Sequence, residues 1–139
     1  MFDLIQGRGQ RITRTKEGAR RSYWSLSSDG KKIAMFSESA LDRIEILDLQ
    51  GGGKSLVELK NWTVQAVAWS PDNQHLYISG AFGDEFQIAS VNLDGTVKSV
   101  VSGPVGPAWI TAPRPSPDGR YLAFTLRRYE TNVVMLENF

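Results

Sequence analysis

The sequence predicts an all-β fold of small antiparallel sheets, and three observations lead to this prediction. A turn-forming tetrapeptide occurs three times, a short apolar run follows each copy, and no segment shows the 3.6-residue periodicity of a helix. The copies stand at residues 27–30, 70–73 and 116–119. Their aspartates, Asp29, Asp72 and Asp118, are 43 and 46 residues apart, which indicates a repeated unit of about 44 residues.

Each tetrapeptide has the residues of a hairpin turn. In Ser-Pro-Asp-Gly at 116–119, proline presets the φ angle of the second position, aspartate accepts hydrogen bonds from backbone amides, and glycine takes a left-handed conformation. Ser28 replaces the proline in the first copy, Asn73 replaces the glycine in the second, and both are compatible with a turn. The residues expected to be structural in these turns are Asp29, Asp72, Asp118, Gly30 and Gly119.

Four short strands are expected in each unit, one before the turn and three after it. The first strands are 22–26, 65–69 and 110–115; the second are 33–35, 76–78 and 122–124; the third are 44–49, 88–93 and 132–136; the fourth are 55–59 and 97–101. Because the second strands are apolar and uncharged, we expect them to be covered on both faces. Pro113 and Pro115 predict that the first strand of the third unit, 110–115, lies at the edge of its sheet. The expected core residues are Trp24, Trp69, Ile33, Leu76 and Leu122.

Four short antiparallel strands in a repeat of this length are typical of one blade of a β-propeller. The predicted organisation is a partial blade with third and fourth strands at 1–19, blades at 20–62 and 63–108, and first to third strands of a partial blade at 109–139. These add up to about three blades, or half of a six-bladed ring. Three blades do not close a ring, so we expect either a second copy that completes it or further blades upstream.

Composition and charge narrow the class of partner. The chain has 139 residues, 41% hydrophobic and 22% charged, with a net charge of +1 and no cysteine, as in an ordinary globular protein without disulfides. It has no apolar run of about 18 residues and no signal-peptide pattern, so membrane insertion is not expected. As written the chain suits the cytoplasm, or the periplasm as part of a longer protein. Basic residues at 8–21 are interpreted as a solvated strand edge, and nucleic acid binding is not expected.

Motifs for catalysis and cofactor binding are incomplete. Residues 51–55 read Gly-Gly-Gly-Lys-Ser, but a phosphate-binding loop needs a glycine where Asp48 stands and a helix after it. His75 is the single histidine, which excludes a histidine metal cluster, and no nucleophile-elbow pattern accompanies it. We therefore predict a protein without enzymatic activity, metal or cofactor.

Four residues are the candidates for contacts with a protein or peptide partner. Trp109 and Phe82 are expected in connections between strands, where an aromatic side chain can face a partner. Arg20 and Arg114 flank or occupy first strands, which are the innermost strands of a propeller. These positions favour binding through the central channel or one face of the ring.

The repeat resembles a known family. The turn after Val67-Ala68-Trp69, the apolar strand that follows, and Ile46-Leu47-Asp48-Leu49 before a glycine turn are similar to bacterial TolB-like and WD-repeat-like propeller repeats, over essentially the whole chain. Residues 132–139 are similar to the C-terminus of propellers attached to bacterial multidomain regulators. The resemblance implies a non-catalytic interaction platform, the sensory or scaffold part of such a regulator. Two alternatives stay open: a propeller that gates a prolyl-oligopeptidase-like or tricorn-like peptidase, and a self-assembling structural half-propeller.

Overall fold

The chain folds into antiparallel β-strands joined by tight turns. The computed structural model describes residues 2–3, 8–9, 22–104 and 108–128. Its strands are β1 (Phe2–Asp3), β2 (Arg8–Gly9), β3 (Ser22–Leu26), β4 (Lys32–Ser37), β5 (Ala40–Asp48), β6 (Lys54–Glu58), β7 (Trp62–Trp69), β8 (His75–Phe82), β9 (Glu85–Asn92), β10 (Val97–Pro104), β11 (Ala108–Pro115) and β12 (Leu122–Arg128). None of these described residues form a helix that is long and apolar enough to cross a membrane.

Strands that are consecutive in the sequence pair in space. β3 to β6 form the first sheet, β7 to β10 form the second sheet, and β11 and β12 form the third sheet, while β1 pairs with β2. All pairings are antiparallel. The prediction of an all-β fold with four-stranded antiparallel sheets is therefore confirmed. The predicted strand at 132–136 lies outside the described residues.

The three sheets are stacked through their first strands. β7 lies against β3, β4 and β5 of the first sheet, and β11 lies against β7, β8 and β9 of the second. Within the described ranges, the fourth strands β6 and β10 have contacts only inside their own sheets. The first strands therefore form the inner edge of the stack and the fourth strands form its outer edge, as in successive blades of a propeller.

The main hydrophobic core fills the space between the first and second sheets. Ile44 and Leu76 come from opposite sides of this core and are completely buried. Trp69 is 5% exposed, and its indole Nε1 donates a hydrogen bond of 3.1 Å to the carbonyl oxygen of Ser25. The ring of Trp69 thus fixes the second sheet on the inner strand of the first.

Three expected core residues differ in burial from the expectation. Trp24 is 66% exposed, so its assignment to the core is wrong for the described part of the chain. Ser25, the next residue, contacts the second sheet, and strand alternation turns Trp24 to the opposite face, where no described element covers it. Ile33 and Leu122 are only partly buried. Covering on both faces is also wrong for β12, because Phe124 and Leu126 are 41% and 47% exposed.

The three repeated turns share one hydrogen-bond pattern. In each turn the serine hydroxyl donates to the aspartate Oδ1, at 2.6 Å for Ser27 and Ser70 and 2.5 Å for Ser116. The same aspartate oxygen accepts from the backbone amide two residues later. The fourth position has positive φ: 70° at Gly30, 59° at Asn73 and 70° at Gly119. The pattern explains why serine and aspartate recur together.

Candidate binding site at the inner strands

Two of the inner strands carry a β-bulge. The β7–β8 register shifts between Val64 and Ala66, and the β11–β12 register shifts between Thr111 and Arg114. Ala112 in the second bulge has φ of 54°, a left-handed conformation that is strained for alanine. Bulges concentrate beside functional sites because they redirect side chains and interrupt pairing. The β4–β5 and β9–β10 pairs also have bulges, so the strained Ala112 is what distinguishes the inner edge as a candidate binding site.

A cavity of about 490 Å³ opens where the inner strands meet, and we call it the inner cavity. Tyr23 of β3, residues 63–66 of β7 and Ala112 of β11 all line it, so each of the three sheets contributes its first strand. Phe36, Glu38 and Leu41 complete the wall from the first sheet. The inner cavity is thus a product of the stacking and belongs to no single sheet.

The inner cavity combines aromatic rings with hydrogen-bond acceptors. The rings of Tyr23 and Phe36 stack with centroids 5.0 Å apart and planes within 13°. The Tyr23 hydroxyl donates to Oε1 of Glu38 at 3.4 Å. The side-chain Oε1 of Gln65 is buried and has no hydrogen-bond partner among the described residues. A buried acceptor without a donor costs free energy, so a donor brought to this oxygen would stabilise the site.

A second cavity of about 650 Å³, the side groove, lies between the segment after β6 and the β9–β10 turn. Trp62 and Phe82 form its aromatic wall, with ring centroids 5.6 Å apart. Its charges are mixed, since Glu58, Lys60 and Asp94 all line it. The amide of Thr96 donates to Asp94 at 2.8 Å, and that bond lowers the pKa of the Asp94 carboxyl. The groove is larger than the inner cavity, but its polar groups do not favour one ligand charge.

The four predicted contact residues do not gather at one described site. Phe82 ends β8 and lines the side groove, so it does not lie in a connection as expected. Trp109 lies in β11, again not in a connection, and its side chain is outside the described part of the structure. Arg114 is exposed on β11 and lines neither cavity. Arg20 lies outside the described residues.

Sequence reasoning missed Glu38, Gln65 and Ala112, which the fold brings to the inner cavity. Only Gln65 carried a usable pattern, as a polar residue inside the apolar stretch Val64-Gln65-Ala66-Val67. A polar residue at such a position favours a bulge or a binding contact. Glu38 and Ala112 are ordinary turn and strand residues in the sequence, and only the packing of three sheets relates them.

The carboxylates and the histidine of the described ranges do not form a metal-binding cluster. No group of three or more histidine, cysteine, aspartate or glutamate side chains that could hold a metal ion occurs there. His75 Nδ1 lies 3.7 Å from Oδ1 of Asp72, and that oxygen already accepts hydrogen bonds from Ser70 and from the amide of Gln74. The turn therefore accounts for the position of Asp72 beside His75.

Comparison with known proteins identifies the fold through solved structures. No protein-family model matches the chain, and no curated protein matches it. A structure from Agrobacterium tumefaciens, described as TolB, superimposes with a TM-score of 0.66 at 23% identity. The match covers 81% of this chain and 40% of that one, so the chain spans well under half of the length of that protein.

Two further structures have lower similarity. A protein from Lactobacillus plantarum gives a TM-score of 0.50 at 18% identity, covering 76% of this chain and 34% of that one. A protein from Bacteroides uniformis, described as a 6-phosphogluconolactonase, gives 0.45 at 22% identity, covering 79% and 33%. At these identities the comparisons establish a fold and no activity, and the third score is too low to support any argument.

Proposed function

We propose that this chain, whose fold is that of a TolB-like β-propeller, is a non-catalytic module that binds a protein or peptide partner at the inner cavity. The observation that carries the proposal is the convergence of three inner strands, two of them bulged, on one cavity with an acceptor that no described residue satisfies. A rigid sheet framework holds such a site in place while its surface residues vary. The role as the sensory or scaffold part of a bacterial regulator belongs to this proposal and is supported by the sequence resemblance.

The dimensions of the inner cavity suit a side chain or short segment of a partner. Its volume of about 490 Å³ falls in the range of ligand sites, and apolar residues such as Phe36, Leu41 and Val64 form much of its wall. The strained backbone at Ala112 is maintained only because the surrounding strands hold it. Both features are those of a preformed recognition site.

A peptide selection tests this location. Random dodecapeptides displayed on phage would be selected on the full chain, and their affinity measured by fluorescence anisotropy. Thr63→Trp places a large ring at an exposed position of the inner cavity and should abolish binding, whereas Ser99→Trp fills the side groove in the same way and should not. A cooperative thermal unfolding transition would show that each variant is folded. Selected peptides that tolerate Thr63→Trp, or the absence of any specific peptide, would contradict the proposal.

We also propose that a second copy of the chain covers the uncovered face of the first sheet. Trp24, Leu26 and Leu56 are exposed on this face at 66%, 43% and 44%. In the repeat, Leu26 corresponds to Trp69, which is buried against the neighbouring sheet. The chain therefore already contains a contact of the kind that this face lacks, between its first and second sheets. The third sheet of a second copy would supply the same kind of contact to the uncovered face. Two copies joined twice in this way would form a six-bladed ring.

The mass in solution tests the second copy. Light scattering during size exclusion, across a dilution series, should give twice 15.5 kDa. Trp24→Lys should reduce the mass to that of one chain, because it puts a charge in the contact. Val100→Lys, at an exposed apolar position on the outer strand β10, should leave the mass unchanged. A single-chain mass for the unmodified protein at all concentrations would exclude the assembly.

A further inference from the structure

We infer that the inner cavity accepts a basic side chain, lysine or arginine, of the partner peptide. This inference rests on the proposed function, because it names the chemical group that the partner inserts. It follows from three properties of the described lining: its unused hydrogen-bonding capacity, its charge, and its aromatic surface. The first two properties favour a cationic head group, and the third favours an alkyl stem beside it.

The unused hydrogen-bonding capacity of the cavity is on the acceptor side. The proton of the Tyr23 hydroxyl is already directed at Glu38, which leaves the phenol oxygen able to accept. Glu38 accepts that one bond and keeps further lone pairs. The buried Oε1 of Gln65 accepts from no group in the described part of the chain. An ammonium group has three donors and no acceptor, and a guanidinium has five, so either can satisfy what the cavity lacks.

The charge of the cavity has one sign. Glu38 is the one ionisable carboxylate or base among its described lining residues, and no lysine, arginine or histidine faces it there. Among the described lining residues, an anionic ligand would meet a carboxylate and a carbonyl oxygen without a donor, and no cation that compensates them. A cationic ligand would pair with Glu38 in partly apolar surroundings, where the attraction is screened less than in bulk water.

The aromatic surface suits the rest of a basic side chain. Lysine and arginine carry an apolar stem that packs on rings while the charged head reaches polar groups. Tyr23, which is 38% exposed and stacks on the buried Phe36, offers such a surface directly beside Glu38. A cation above an aromatic face gains further electrostatic attraction. The stem and the head of the ligand therefore both have a place in the same cavity.

The first experiment uses a defined pair of probes on the full chain. N-acetyl-L-lysine methylamide and N-acetyl-L-norleucine methylamide share an alkyl chain and differ in the ammonium group. Amide-detected NMR titration should show saturable shifts at residues 38 and 63–66 for the lysine probe, with at least tenfold weaker binding of norleucine. Arginine and citrulline probes should differ in the same direction. Equal affinities within both pairs would overturn the inference.

Variants of the acceptors separate binding from folding. Glu38→Gln should weaken the lysine probe at least tenfold, while Glu58→Gln, which removes the same charge from the side groove, should leave the affinity unchanged. Gln65→Leu should weaken the probe several-fold and yet raise the thermal unfolding midpoint, because it removes an unsatisfied buried oxygen. Unchanged affinity in both Glu38→Gln and Gln65→Leu would contradict the inference.

The outcomes distinguish the inference from the proposed function. If selected peptides lose binding in Thr63→Trp but retain it when their lysines and arginines become norleucine and citrulline, the site is correct and the basic side chain is wrong. If the peptides bind Thr63→Trp as tightly as the unmodified chain, the proposed location is wrong, whatever charge the peptides carry.

Discussion

At the scale of single residues, the turn aspartates act as hydrogen-bond acceptors that must stay ionised. The Ser70 hydroxyl and then the Gln74 amide hold the pKa of Asp72 below its ordinary value of 3.8. Asp29 and Asp118 have a lowered pKa for the same reason, with the serine hydroxyl as the largest cause. Because these carboxylates are exposed, each contributes modestly, and the effect comes from three turns acting in parallel.

The lowered pKa values predict loss of stability in acid. Groups whose pKa is lower in the folded state stabilise it fully above their unfolded value and lose that contribution as the pH falls through the folded value. The urea midpoint should therefore decline as the pH is lowered below about 4. Asp72→Asn should flatten this decline, and Ser70→Ala should flatten it by a smaller amount, because losing the Ser70 hydrogen bond brings the folded-state pKa of Asp72 closer to its unfolded value. If the decline in both variants were the same as in the unmodified protein, the assignment of the acid sensitivity to Asp72 and its hydrogen bond from Ser70 would be wrong.

Ser28 and Asn73, the two residues that depart from Ser-Pro-Asp-Gly, contact each other in the folded chain. The amide and hydroxyl of Ser28 donate to Oδ1 of Asn73 at 2.8 and 3.0 Å, and the hydroxyl also lies 2.9 Å from the carbonyl oxygen of Pro71. Proline at position 28 would have no N–H to donate, and glycine at 73 would have no side chain to accept. The sequence shows each replacement as compatible with a turn, but their pairing across sheets depends on the stacking.

At the scale of strands, the bulge in β7 requires a glycine on its partner. A Cβ atom on Gly80 would lie 2.2 Å from the carbonyl oxygen of Thr63, far inside van der Waals contact. Because glycine has only a hydrogen as its side chain, β7 and β8 can approach each other closely beside the inner cavity. The geometry of the cavity and the identity of Gly80 are linked in this way.

Substitution of Gly80 tests that link. Gly80→Ala should lower the free energy of unfolding by about 1 to 3 kcal/mol, because backbone on both strands must shift. Gly53→Ala is the matched control, since its Cβ would meet open space and its φ is not positive, and it should leave stability unchanged or raise it by up to about 1 kcal/mol. Urea unfolding at neutral pH measures both. Equal stability of Gly80→Ala and the unmodified chain would mean that β7 and β8 are farther apart.

Strand positions were more predictable than strand surroundings. Alternating and apolar runs placed the strands near their observed bounds, although β7 begins at Trp62 rather than at residue 65. Trp24 shows the limit, because an aromatic residue in a first strand indicates burial only where a neighbouring sheet covers that face. The inner cavity was not predictable for a related reason, since it depends on how β3, β7 and β11 meet. Hydrophobic periodicity shows which face of a strand is apolar, but it does not show which element of the fold covers that face.

At the scale of the whole molecule, stability depends on the interface between sheets. The largest core lies between the first and second sheets, and the second sheet also buries Phe86 and Ile88. Ile88 pairs with Ser79, on the face of β8 opposite to Ile78. A sheet with buried residues on both faces needs a neighbour on each side. Among the described sheets, the face that carries Trp24 lacks such a neighbour, as does the part of β12 that carries Phe124 and Leu126.

Two tryptophans separate the contribution of an internal interface from that of an external one. Trp69→Ala removes a buried ring and its bond to Ser25, and should cost about 3 to 5 kcal/mol at every protein concentration. Trp24→Ala removes a ring that is 66% exposed in one chain, and should cost little when the protein is dilute. If a second copy covers Trp24, the cost rises with concentration, because assembly stabilises the folded state by mass action. Urea unfolding across a dilution series measures both variants. A cost for Trp24→Ala that is small at all concentrations would show that this face stays in water, and a small cost for Trp69→Ala would refute the stacking of the first two sheets.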